Sequence, residues 1–172
     1  LKTDYPQAAQ ITAHPGQVFY LRNAKITMLS TSDLYSQKQD SITNESSLVF
    51  RVEVAGKSIM YLGDLGVKTN PWFCNMYENS LKSDIVQTAH HGYEGATYRT
   101  YSLIQADYVL WDTGYIDGRM EHLLDINGNS YFSKNDQIVK WVAGGNIDVI
   151  TLKEGQPPEA QIYSSFEDYI KH

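Results

Sequence analysis

An α+β fold, a mixed β-sheet with flanking helices, is predicted by three observations. Leu48, Phe50, Val52 and Val54 alternate with Val49, Arg51 and Glu53, the period-two pattern of a strand with one buried face. Two apolar runs, Ile59 to Asp64 and Ile85 to Gly92, end abruptly in Gly63-Asp64 and in His90-His91-Gly92. After Asp64, strand candidates alternate with segments of helical spacing.

The elements follow in chain order. Gly16 to Leu21 and Lys25 to Ser30 read as neighbouring strands around the turn-like Arg22-Asn23-Ala24. Thr31 to Ser46 is polar and aperiodic, which predicts a surface loop. Ala55-Gly56-Lys57 turns the alternating strand back into a return strand over Ser58 to Leu62, which delivers Asp64 to a strand end between Gly63 and Gly66. Asn70-Pro71-Trp72 to Ser80 predicts a helix with Asn70 as its cap and Pro71 in its first turn. Asp84 to Ala89 is the next strand. Tyr98, Tyr101 and Ile104 give helical spacing within Ala96 to Gln105, and Asp107 to Trp111 is a buried strand. Asp112 to Tyr131 is irregular. Ser133 with Asp136 starts a helix that ends at Gly144-Gly145, and Ile147 to Leu152 and Ala160 to Tyr163 are late strands.

The 172 residues fit one domain, with a 42% hydrophobic share typical of a soluble globular protein. No apolar run approaches the roughly eighteen residues that would mark a membrane span, and the first residues lack a secretory signal pattern. Leu1 stands where an initiator Met is expected, so the chain reads as part of a longer protein. Its compartment is left open between cytoplasm and bacterial cell surface. Twenty acids against fourteen bases give a net charge of −6, which does not indicate a nucleic-acid partner. The single cysteine, Cys74, excludes internal disulfides and thiolate-rich zinc clusters, and it reads as a small buried hydrophobe.

Metal chemistry in this chain must therefore use oxygen and imidazole donors. Asp64 closes an apolar strand, where a buried carboxylate has to be hydrogen-bonded, paired or metal-bound. Bonding to loop amides would satisfy it without any metal. The His90-His91 pair at another strand end adds imidazoles suited to zinc, iron or manganese, ions that turn bound water into a nucleophile for ester hydrolysis. Adjacent residues of a strand face opposite ways, so one histidine is expected to ligate, and His91 is favoured. His90 would then support the site or act on the leaving group. The plain alternative is a core histidine beside a surface one.

Taken in order, Asn44-Glu45-Ser46-Ser47-Leu48-Val49-Phe50, Gly63-Asp64-Leu65 and Asp84 through His90-His91-Gly92 resemble the C-terminal part of the metallo-β-lactamase superfamily. Its competence-protein-like branch carries an N-x-S-L-V strand, a G-D strand end and an H-H-G. The resemblance covers Gly16 to about Trp111 and implies the C-terminal half of an αββα sandwich. It further implies that Asp64 bridges two metals, that His91 is the late histidine ligand, and that His90 stands beside the active site. Asn44 lies near the place where many members supply another histidine. Tyr93 departs from the serine that commonly follows H-H-G.

The superfamily's H-x-H-x-D-H signature is missing from this sequence, and His14, His122 and His172 are isolated. One carboxylate and one imidazole fall short of the three or four protein ligands of a zinc site. The expectation is a hydrolase fragment, inactive alone. Its parent would hold two zinc or manganese ions and cleave a phosphoester or related ester with metal-bound hydroxide. The missing N-terminal half is the implied partner, and an exposed sheet face makes a homodimer a second one.

Two rival readings stand beside this one. Ser46 and Ser47 with His91 and Asp64 lack the G-x-S-x-G elbow of a serine hydrolase. Thirteen tyrosines and three tryptophans, several between Tyr93 and Tyr131, also allow a non-catalytic binding or structural domain with an aromatic-lined groove.

Overall fold

The structure, a computed structural model, describes residues 7, 9–31, 44–92, 95–111, 141–142, 147–163 and 166–171. The alternating patterns become antiparallel ladders: β1 (Val18–Leu21) pairs with β2 (Ala24–Ser30), β2 with β3 (Val49–Val54), and β3 with β4 (Lys57–Tyr61). Ala55 and Gly56, both at positive φ, make the two-residue turn between β3 and β4. From β4 the sheet turns parallel, through β5 (Ile85–Gln87), β6 (Tyr108–Trp111) and the short β7 (Trp141–Val142). The seven strands lie side by side in chain order. Parallel neighbours need crossovers, which helix α1 (Asn70–Tyr77) and helix α2 (Tyr98–Ile104) supply between β4 and β6.

Register explains the two faces. Phe19, Ile26, Val52, Ile59, Ile85 and Tyr108 are successive partners across β1 to β6, an apolar row running over the sheet. Ile150 and Leu152, from β8 (Ile147–Thr151) and the residue after it, pack on the Ile59 and Ile85 end of that face. β8 pairs antiparallel with β9 (Glu159–Tyr163), and the short helix α3 (Phe166–Tyr169) follows, with Tyr169 edge-on to Tyr163. On the opposite face, Met60, Val86 and Val109 meet Phe73 of α1 and Tyr101 and Ile104 of α2, all buried. Removing such side chains from water stabilises by about 1.5–3 kcal/mol each. The described residues thus form a helix layer, a mixed sheet and a second small sheet: an α+β fold, as the alternation predicts.

Several expectations shift. The helix from Asn70 stops at Tyr77 and tightens into a 3-10 turn over Glu78–Leu81, because the chain must drop quickly to β5. Asn70 is not the cap; Thr69 takes that place, and no side chain of its own closes the helix end. Leu48 is exposed while Val49 is fully buried, since this end of β3 is covered on the helix side. Trp141 and Val142 form a strand, which corrects the helix expected to run on to Gly144-Gly145; the rest of that segment, the stretch from Asp112 to Tyr131, His122 and His172 lie outside the described residues. No helix among the described residues is long and apolar enough to cross a membrane.

Candidate functional site

β4, β5 and β6 run parallel, so the loops after Tyr61 and Gln87 leave the same end of the sheet. Side chains at the carboxyl ends of parallel strands are where open sheets place their ligands. At that end the backbone N–H of His90 donates to the carbonyl of Gly63 at 2.8 Å. The two sequence-distant tips are therefore joined through the main chain, one residue from Asp64.

The Asp64 turn is built by its neighbours. The Gln87 side-chain oxygen accepts the N–H groups of Leu62 at 3.1 Å and Gly63 at 2.9 Å, while its Nε2 donates to the Thr88 carbonyl. One side chain thus fixes the loops after both strands. Gly63 sits at φ +55, and a Cβ there would stand 3.3 Å from the Leu48 carbonyl, so both backbone conformation and space favour glycine. Ser47 Oγ accepts the Asp64 N–H at 3.1 Å. Ser47 is thus a loop anchor.

His90 and His91 do not lie on the strand. Both adopt left-handed backbone angles, φ 48 and 55, within the tight turn Ala89–Gly92. The alternation rule for a strand therefore does not apply to them, and their rings stand 6.4 Å apart at a tilt of 53°. His90 is half-buried, with Asn44 Nδ2 3.3 Å from its Nδ1. His91 is exposed. Tyr101 helps to fix the turn, its hydroxyl oxygen accepting the Ala89 N–H at 3.0 Å.

Glu45 lies in a polar stretch that reads as a surface loop, yet it holds the two residues that lead into α1. Its carboxylate accepts the Lys68 N–H at 3.2 Å and the Thr69 N–H at 2.7 Å and takes a hydrogen bond from the Thr69 hydroxyl. A negative group is favoured at a helix N-terminus, where N–H groups lack internal partners. Buried Asn70 donates to the Gly66 carbonyl at 2.6 Å, and its oxygen accepts from the Thr97 N–H at 2.8 Å and from the Thr100 hydroxyl. It ties the starts of the two helices together. No signal short of the fold pairs Glu45 with residue 69 or Asn70 with Thr97.

Cys74 is buried with its Sγ 3.3 Å from Thr100 Oγ1, and burial pushes its thiol up against the opposing effects of Thr100 and Arg99. It is no nucleophile. His14 is exposed and its backbone N–H bonds Gln17 Oε1 at 2.8 Å, far from any ligand role. Tyr98, Tyr101 and Tyr108 pack into the two cores rather than lining a groove; most of the aromatic segment lies outside the described residues. Among the described residues, no three His, Cys, Asp or Glu side chains converge as a metal-binding group. Asp64 and the histidines have the right chemistry for a divalent ion but fit part of a site, not a whole one.

No family model matches the chain, and no curated protein does. Among solved structures, the chain is similar to a proposed zinc-dependent hydrolase of the metallo-β-lactamase superfamily from Thermotoga maritima, at 18% identity and a TM-score of 0.39, over 63% of this chain and 52% of that one. It is also similar to the metallo-β-lactamase fold protein YhfI from Bacillus subtilis, at 10% identity and a TM-score of 0.40, over 88% of this chain and 55% of that one. The chain spans about half the length of both.

Proposed function

We propose that this chain is the C-terminal half of a metallo-β-lactamase-like hydrolase domain, whose complete form cleaves a phosphoester or related ester. The observation that carries the reading is the hydrogen bond from the His90 N–H to the Gly63 carbonyl, which sets the Asp64 loop beside the His90-His91 turn at the carboxyl end of the parallel strands. Asp64 would ligate two divalent cations, zinc or manganese, and His91 one of them. Such ions, when bound, neutralise anionic oxygens and lower the pKa of water. Gln87, Gly63 and Ser47 hold the Asp64 loop, and Tyr101 holds the histidine turn. His90 orients the substrate or gives a proton to the leaving group.

Two donors do not make a zinc site, so the remaining ligands belong to the missing N-terminal half, the principal partner in this reading. The 172-residue chain alone is inactive. The test compares it with a longer protein that includes the preceding residues. The longer protein should hold two equivalents of zinc or manganese and hydrolyse a generic phosphodiester. Asp64→Ala and His91→Ala should lose metal and activity together, and His90→Ala should keep metal while kcat drops about 100-fold. A longer protein that holds no divalent metal, or a 172-residue chain with the full rate, overturns the reading.

A further inference from the structure

We propose that Asn44 is a positioning residue for His90: with the His90 backbone pinned to Gly63 and its Nδ1 facing the Asn44 amide nitrogen, the imidazole carries its proton on Nε2. The amide nitrogen of asparagine can only donate, so a ring nitrogen 3.3 Å from it has to accept. Neutral imidazole has one donor and one acceptor nitrogen, and Nδ1 as acceptor leaves the hydrogen on Nε2. A nitrogen that bears a hydrogen has no lone pair to give a metal. The tautomer therefore divides the labour of the adjacent histidines: His90 offers a hydrogen-bond donor to an anionic ester oxygen, and His91 is left as the ligand.

Backbone geometry makes the arrangement specific. The left-handed conformation of His90, φ 48 and ψ 46, is held by the 2.8 Å bond to Gly63 and turns its ring toward Asn44. Asn44 is itself in the turn that precedes β3, where the Ser47 N–H bonds its carbonyl at 3.2 Å. Neither residue reaches the other by sequence proximity. The assignment rests on the proposed reading of His90 as a donor in the hydrolytic site.

Long-range proton–nitrogen NMR of the nitrogen-15-labelled 172-residue chain, at a pH where imidazole is neutral, tests it. His90 should show a protonated Nε2 and a bare Nδ1. Asn44→Asp replaces the donor by a carboxylate, which only accepts, so the proton should move to Nδ1; a purely structural role for Asn44 would leave the ring pattern unchanged. A wild-type His90 with its proton on Nδ1, or an Asn44→Asp variant with the wild-type pattern, overturns the proposal. If the aspartate variant does not fold, the Asn44 side-chain amide resonances decide: they must shift in His90→Ala, and their staying put refutes the contact. These outcomes are independent of the metal content of the longer protein, so failure of the hydrolase reading is read separately.

Discussion

The carboxylate of Glu45 lies directly over the Cα of Gly66, so close that any Cβ at position 66 would overlap it. Glu45 reaches that position to hold Lys68 and Thr69 ahead of α1, and the absent side chain at 66 gives it room. Gly66→Ala should therefore cost up to about 1 kcal/mol, because the flexible end of Glu45 swings aside and gives up its hydrogen bonds to Lys68 and Thr69. Glu45→Ala should cost about 1 kcal/mol on its own. Because the two changes share one contact, the double variant should lose clearly less than the sum. Urea titrations of the four proteins measure this, and strict additivity would show that the overlap is relieved elsewhere.

Asn70 supports a second prediction. Truncation to alanine strands the Gly66 carbonyl and the Thr97 N–H, and leaves the Thr100 hydroxyl only Cys74 Sγ, in a site where Asn70 is 1% exposed. Each buried group left without a partner costs about 1–3 kcal/mol. Asn70→Ala should lower stability by about 2–4 kcal/mol in the same titration, and it should loosen α2 as seen by amide hydrogen exchange. A loss under about 0.5 kcal/mol would mean that water replaces the amide without penalty.

The sheet was legible because its signals are local. Val52 and Ile59 face one another as the hairpin pattern requires, and the apolar runs before Asp64 and His90 do become adjacent parallel strands. The site was legible only in its residue types. Glu45, Gln87 and Tyr101 build the loops around Asp64 and the histidines, yet each works through a partner 12 to 25 residues away in sequence. Period and propensity carry no information at that range. The histidine turn was hidden for a different reason: the strand rule does not reach His90, whose N–H bonds Gly63 at 2.8 Å, or His91, because both take left-handed conformations, which sequence patterns reveal reliably only at glycine.

Asp84, at the opposite end of the sheet, yields a pH prediction. Burial favours its neutral form and is the largest single influence. It is outweighed together by the N–H and hydroxyl of Ser58, each 2.8 Å from Oδ2, and by Lys57 at 3.5 Å, so the carboxyl is held below its ordinary value of 3.8. A lowered folded pKa contributes stability that is present above the unfolded value and lost as pH falls through the folded one. The advantage of wild type over Asp84→Asn should be about 1 kcal/mol at pH 7, begin to shrink near pH 4 and vanish at lower pH. Denaturant midpoints at several pH values check it; a difference that is constant with pH would show that the charge of Asp84 is immaterial.

His91 is exposed and held at φ 55, a conformation that costs a non-glycine residue about 1–2 kcal/mol. Glycine adopts it freely but gives back roughly 0.5–1 kcal/mol in unfolded-state entropy. His91→Gly should then be as stable as wild type or slightly more so, whereas His91→Ala, which keeps the strain, should stay below His91→Gly by about 1 kcal/mol. Both variants lose the imidazole, so in the longer protein both should lose bound metal to the same degree. This pairing separates strain from ligation: thermal unfolding ranks the variants by backbone conformation, and metal content ranks them by side chain. Equal unfolding temperatures for His91→Gly and His91→Ala would show that the turn relaxes when the ring is removed. Residue 91 would then carry its left-handed angles because of its imidazole, and not because the backbone of the turn imposes them.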